Sequence, residues 1–227
     1  RIMVTGAGGS IGKELVSQML DYHPEQLLCL DQSEMAIFDL NFTVLNNSTD
    51  EGRISVKVLD ITDEESLRHC FEIFKPTLIF HAAAHKHVNL MEDQPDEALR
   101  NNYFASVQLM RLSKEFLVDR FILISTDKAV RPTNFMGATK RFSELIIQSF
   151  SSQSFTKFSA VRFGNVLGSS GSVIPLFEKQ IENGGPVTVT HKDITRYFMT
   201  VEEAAQLVIQ SSSLDTQKNI FVLDMGD

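Results

Sequence analysis

The chain has 227 residues, 43% hydrophobic and 22% charged, enough for one large domain, or a domain with a small lobe, around a real core. Its formal net charge of -8 excludes a general nucleic-acid binder, which needs a basic footprint. No apolar run reaches the length of a membrane span and no signal peptide is visible, while Cys29 and Cys70 read as small core residues of a reducing compartment.

The first predicted strand, Ile2-Met3-Val4, runs into Thr5-Gly6-Ala7-Gly8-Gly9-Ser10-Ile11-Gly12, and a helical pattern follows to Leu20. Gly6, Gly9 and Gly12 are three apart. Glycine allows a tight turn and a close backbone approach to a pyrophosphate, whose charge the helix N-terminus at Ser10 and Ile11 favours. A glycine-rich turn without a ligand is the plain alternative, but a position between strand and helix is the context that the motif requires. No Gly-Lys-Ser/Thr is present, so the turn is not a P-loop. The second strand, Gln26 to Leu30, ends at Asp31, 19 residues after Gly12, where an acidic residue bonds the adenosine ribose. Gln32-Ser33-Glu34 brings no arginine for a 2′-phosphate, so NAD is expected rather than NADP. The third strand, Ile54 to Leu59, delivers Asp60 and Ile61 to the adenine edge; Asp60 doubles as a candidate N-cap for the next helix.

The fourth strand, Thr77 to Phe80, enters His81-Ala82-Ala83-Ala84-His85-Lys86-His87. Three close histidines invite a metal, but the helical zinc spacing and an acidic or cysteine ligand are missing, so no metal is expected. Ala82, Ala83 and Ala84 suit a backbone packed against a flat cofactor. One long helix is predicted from Asp96 to Phe116. The fifth strand, Arg120 to Ile124, ends in Ser125-Thr126-Asp127-Lys128, which sets an alcohol, a carboxylate and an amine on the sheet edge where ligands sit. A solvated ion pair is the plain alternative. The next helix, Met136 to Phe150, carries Lys140 one turn beyond Met136. A sixth strand, Lys157 to Val161, leads to Asn165.

Six strand–helix repeats predict an α/β doubly wound parallel sheet of Rossmann type over residues 1–162. Residues 163–227 change texture: a loop at Leu167–Ser172, a short helix from Val173 to Asn183, a short strand from Val187 to Thr190, then a helix and a strand returning to the sheet. These suit a small substrate-binding lobe. Arg1 and the closing strand from Asn219 read as cut ends of a longer protein.

Together, TGAGGSIG, HAAAHKHV, STDKAVRPTNFMGATKR, VRFGNVLGSSGSV and TRYFMT resemble extended short-chain dehydrogenase/reductases, and among them the nucleotide-sugar 4,6-dehydratases of bacterial polysaccharide and glycan synthesis that act on UDP-N-acetylglucosamine. Larger forms in that family carry membrane segments ahead of this domain. The resemblance implies a cytoplasmic enzyme whose parent is anchored at the inner membrane, assembled from identical chains. It also implies an internal redox cycle: NAD takes hydride from C4 of the sugar, water leaves across C5–C6, and the hydride returns to C6. Lys128 would take the C5 proton, Asp127 would protonate the departing hydroxyl, Thr126 would bond the C4 oxygen, and Lys140 would hold the nicotinamide ribose. The superfamily's Tyr-x-x-x-Lys reads Met136-x-x-x-Lys140 here, as it does in this subfamily. Lys86, His87, Arg196, Asn165, Ser172 and Val173 are the candidate substrate contacts. A 4-epimerase or reductase would favour a tyrosine at 136 and no Asp-Lys pair after Thr126. A non-catalytic dinucleotide-binding module would need no acid–base pair.

Overall fold

The computed structural model describes residues 1–47, 52–151, 154–169, 173–189, 191, 193, 195–214 and 219–226. Short β-branched and leucine-rich runs form β1 (Ile2–Thr5), β2 (Leu27–Asp31), β3 (Ile54–Val58), β4 (Leu78–His81), β5 (Arg120–Ile124), β6 (Lys157–Arg162) and β9 (Ile220–Val222). They make one sheet in the order β3-β2-β1-β4-β5-β6-β9, parallel throughout. The chain works outward from β1 to β3, then returns to build β4, β5 and β6 on the other side. The sequence order therefore switches between β1 and β4, and their C-terminal ends flank the crevice where such sheets bind ligands.

Successive strand residues face opposite layers, as the two-residue period requires. Val4, Cys29 and Ile122 join a core with Leu15, Val16 and Met19 of α1 (Ser10–Leu20), Ile37 and Leu40 of α2 (Glu34–Thr43), and Ala204, Ala205 and Val208 of α9 (Val201–Ser213). Met3, Leu28 and Phe121 join a second core with Leu67 and Phe71 of α3 (Glu64–Phe74), Leu109 and Met110 of α6 (Ala105–Glu115), and Ile147 of α7 (Phe135–Ser151). Both cysteines are buried and unpaired with each other. Among the described residues, no helix is long and apolar enough to cross a membrane.

Three local expectations change. The segment predicted as one helix from Asp96 opens with α5 (Pro95–Ala98) after α4 (Val88–Asp93), then widens into a π turn over Leu99–Phe104 before α6. Val187, Thr188 and Val189 are not a strand: Thr188 N–H donates to the Gln180 side chain at 2.9 Å, so α8 (Val173–Glu182) takes the place of a ladder partner. A two-residue parallel pair forms instead between β7 (Asn165–Val166) and β8 (Phe198–Met199). Thr190 and Ser172 lie outside the described residues.

Candidate active site

The glycine turn is shaped by contacts that no side chain could share. Gly6 has φ +68°, and a β-carbon on it would meet Ala83 N at 2.5 Å. One on Gly12 would lie 1.9 Å from Gly6 O, and one on Gly8 would lie 2.4 Å from the Ala36 β-carbon. At Gly9, among the described residues, only Gly6 O comes near, at 3.3 Å, so this side of the turn is open. Gly9 is also the N-cap of α1 and offers no capping side chain, which leaves the helix N-terminus suited to an anion. The Gly8 role was missed in the sequence, because Ala36 reaches it only once α2 has folded against the turn.

Asp31 ties the second strand exit to this turn. Its Oδ2 accepts from Gly8 N–H at 3.0 Å and its Oδ1 from Ser33 N–H at 3.0 Å. Ser33 in turn caps α2, accepting from Ala36 N–H at 3.2 Å. A cleft lined by Gly6, Gly9, Asp31, Gln32, Leu59 and Ile61 continues along Ala82, Ala83, Ala84, His85 and Asn101. The structure thus brings most of the predicted cofactor set to one trench. Asp60 stays exposed outside that lining and accepts from Thr62 N–H at 2.8 Å. It does not cap α3; Asp63 does, accepting from Ser66 N–H at 3.1 Å. A larger cleft of about 500 Å³ lies between α1 and the start of α9, lined by Lys13, Glu14, Leu167 and Glu202, and holds none of the acid–base residues.

Asn101 and Asn102 enter from the π turn, where an extra residue per turn points both buried amides inward. Asn102 braces the β4 exit: its Oδ1 accepts from His85 N–H at 2.8 Å and its Nδ2 donates to His85 O at 2.9 Å. His81 is fully buried. Ser106 Oγ donates to Asn102 O at 2.7 Å, so His81 Nε2–H donates to Ser106 Oγ and His81 Nδ1 accepts from Thr5 Oγ, each at 2.7 Å. Burial first, and then the nearby Lys140 charge, push its pKa down to about 3. This histidine is a neutral core link between β1, β4 and α6 rather than a ligand.

The β5 exit forms a short turn over Asp127–Ala129 capped by Thr126. Thr126 Oγ donates to Asp127 Oδ1 at 2.8 Å and accepts from Lys128 N–H at 3.3 Å. Lys128 Nζ donates to Asp127 Oδ1 at 3.0 Å and to Asn165 Oδ1 at 3.2 Å. The Asp127 and Lys128 side chains keep 45% and 29% of their surface exposed, which leaves both reachable by a ligand. Asn165, a predicted substrate contact, is a partner of Lys128 delivered by β7.

Helix α7 packs closely on this turn. Asn134 Oδ1 accepts from Gly137 N–H at 2.7 Å, and Glu92 accepts from Phe135 N–H at 2.6 Å. Lys140 is buried, donates to Ile124 O at 3.0 Å, and has a pKa lowered to about 8 by desolvation against an opposing pull from Glu144. Met136 is buried in a small apolar cluster with Met91 and Ala98. Glu144, which the sequence reading passed over, lies beneath Lys140. Its carboxylate accepts from Ser125 Oγ at 2.6 Å, from Arg162 Nε and Nη2 at 2.7 and 2.6 Å, and from Arg141 Nη1 at 3.1 Å. Burial opposes its charge, and the bonds from Arg162, Ser125 and Arg141 outweigh it, so its pKa is lowered. The spacing of Lys140 and Glu144, one turn apart, was the available signal.

Lys86, His87, Val173 and Arg196 are exposed, and no described hydrogen bond or ion pair joins them to Asp127, Lys128 or Lys140. Desolvation nonetheless lowers the Lys86 pKa. Arg196 Nη1 donates to Thr195 O at 2.9 Å.

A parallel seven-stranded sheet with a glycine turn at the end of β1 defines a Rossmann-type α/β fold. The chain belongs to the polysaccharide biosynthesis protein family, which it matches over residues 2–227. It is 48% identical over 227 residues to the probable polysaccharide biosynthesis protein EpsC of Bacillus subtilis, covering 100% of this chain and 38% of that protein. It is 31% identical over 215 residues to the inverting UDP-N-acetylglucosamine 4,6-dehydratase of Campylobacter jejuni, covering 92% of this chain and 62% of that protein. It is 32% identical over 232 residues to the UDP-glucose 4-epimerase of Rickettsia prowazekii, covering 97% and 65%. The X-ray structure of Pen from Bacillus thuringiensis superposes with a TM-score of 0.90 at 32% identity, covering 99% and 70%. The chain thus spans well under half the length of EpsC.

Proposed function

We propose that this chain is the catalytic domain of a UDP-N-acetylglucosamine 4,6-dehydratase that makes a UDP-4-keto-6-deoxy sugar for a bacterial polysaccharide or glycan. The observation that carries this reading is the Asp127–Lys128 pair, held on the β5 exit by Thr126 and Asn165 beside the buried amine of Lys140. Loss of water across C5–C6 needs a base at C5 and an acid at the C6 oxygen. Two adjacent residues of opposite type, half-exposed over one strand end, supply that pair.

The trench fits NAD. A pyrophosphate suits the open Gly9 side and the α1 N-terminus, which has no side-chain cap, Asp31 with Gln32 and Ser33 would meet the adenosine ribose, and Ala82, Ala83 and Ala84 form a small-residue wall. Bound there, NAD would supply reversible hydride transfer at C4 and C6. Lys140 would hold the second ribose and favour negative charge on the C4 oxygen, whose proton would pass to solvent as the hydride leaves, while Thr126 bonds that oxygen. With the proton of the pair on Asp127, the neutral Lys128 amine would accept the C5 proton while Asp127 gives its proton to the leaving hydroxyl. Met136 carries no transferable proton and is packed among apolar side chains, so it would not serve as the hydroxyl base that the wider superfamily places there. Lys86 and Arg196 are the candidate contacts for the UDP diphosphate.

The similarity to a 4-epimerase gives a second reading. Epimerisation needs no acid at C6, so the Asp127–Lys128 pair would then have no task. The test is to give the purified chain UDP-N-acetylglucosamine and NAD. A base-sensitive 4-keto chromophore with loss of water supports the dehydratase. A C4 epimer without the chromophore overturns it in favour of the epimerase, and no sugar conversion with NAD bound would leave a dinucleotide-binding module.

A further inference from the structure

Two consecutive turns of α7 hold two consecutive residues at the end of β5. Lys140 Nζ donates to Ile124 O, and Glu144, four residues on, accepts from Ser125 Oγ. Glu144 is 0% exposed, and its two oxygens receive a fork from the Arg162 guanidinium at the end of β6. The backbone repeats the link: Ser125 N–H donates to Val161 O at 2.8 Å and Asp127 N–H to Phe163 O at 3.0 Å. The exits of β5 and β6 and the lysine-bearing face of α7 therefore meet at one carboxylate. We propose that Glu144 is a positioning residue, which fixes the Ser125–Lys128 turn and the Lys140 amine in the geometry the reaction needs. The proposal rests on the dehydratase reading for its reaction, though not for its geometry.

A carboxylate that only glued the fold would be replaceable by any group of similar shape. Four charge-assisted or hydroxyl bonds to three elements fix direction as well as distance, and both properties are lost when the charge goes. Glutamine in its place would keep the volume, but its NH2 would oppose one Arg162 nitrogen. The charged and titratable groups around Lys140 are Glu144 on its own helix, His81 on β4, and, behind Glu144, Arg162 on β6 and Arg141 on α7. Glu144 is the group that supports the protonated amine, so its neutralisation moves the Lys140 titration to lower pH.

The test uses Glu144→Gln and Ser125→Ala in the full 227-residue chain. The Lys140 midpoint is read by 13C NMR of the lysine side chains without cofactor or substrate, and kcat and KM are measured with UDP-N-acetylglucosamine. The expected result is a lower Lys140 midpoint in Glu144→Gln, and a kcat down about 10- to 100-fold with KM within about threefold in both folded variants. An unmoved midpoint in Glu144→Gln, or wild-type kcat in both variants, overturns the proposal. If Glu144→Gln does not fold, wild-type kcat in Ser125→Ala overturns it and a selective fall in kcat supports it. If the wild type makes no 4-keto sugar, the dehydratase reading fails by itself, and the Lys140 midpoint still decides whether Glu144 sets that amine.

Discussion

Gly137 and Lys128 approach so closely that a β-carbon on the glycine would lie 2.2 Å from the lysine's carbonyl oxygen. The obstacle is backbone, so it cannot rotate away. Gly137→Ala must push either α7 or the Asp127–Ala129 turn aside by about an ångström, at a cost of about 1–3 kcal/mol. A displacement of that size at reacting groups lowers turnover by about 10²-fold. We expect a reduced Tm together with that loss of turnover. Wild-type turnover in a folded Gly137→Ala protein would show that the close approach is not needed.

Much of the site is local in sequence. The glycine turn and the Ser125–Lys128 exit sit at strand ends, where a short apolar run stops and small or polar residues begin, so period and context reveal them. Lys140 follows by helical spacing. Residues whose role depends on distant contacts were hidden. Glu144 reads as one more surface charge on a helix until Ser125 and Arg162 arrive from two strands. Gly8 matters because of Ala36, and Asn102 because the π turn rotates it toward His85. Val187–Val189 failed in the opposite direction: a β-rich pattern has no meaning without a partner edge, and Gln180 satisfies its amide instead.

Asp31 gives a binding prediction. Its carboxylate bonds Gly8 and Ser33 N–H and faces the trench with no arginine following. Asp31→Ala should weaken NAD binding by about 1.4 kcal/mol or more, a factor of ten, while the far-UV spectrum stays the same. Calorimetry checks this. A wild-type preference for NADP of tenfold or more would remove the ribose assignment.

His81 makes stability depend on pH. Its folded pKa, about 3, lies below the ordinary histidine value of about 6.5 because burial disfavours the charged ring. The unfolded chain therefore binds a proton that the folded chain refuses. Stability contributed by the neutral ring is complete above about 6.5 and is lost as pH falls from there towards 3, by up to about 1.4 kcal/mol per pH unit. Urea unfolding between pH 7 and pH 5 should show this slope, and His81→Gln should flatten it relative to wild type. An equal slope in a folded His81→Gln protein would assign the effect to other groups.

Asp127 and Lys128 separate the two halves of the proposed reaction. Oxidation at C4 draws on NAD, Thr126 and Lys140, whereas elimination also needs a proton taken from C5 and one given to the C6 oxygen. Asp127→Asn keeps the shape that accepts from Thr126 and Lys128 but removes the acid, and Lys128→Met keeps the aliphatic stem but removes the base. Both side chains are partly exposed, so neither change should unfold the chain. Each variant should bind NAD and UDP-sugar nearly as the wild type does, and should lose turnover by about 10²–10⁴-fold. Solvent deuterium should enter C5 of the wild-type product, because the proton removed there is replaced from an exchanging group. Deuterium placed at C4 of the substrate should reappear at C6 of the same molecule, read by mass spectrometry and NMR. Loss of the C4 label to solvent would rule out the internal cycle, and full turnover by both variants would take the acid and base roles away from Asp127 and Lys128.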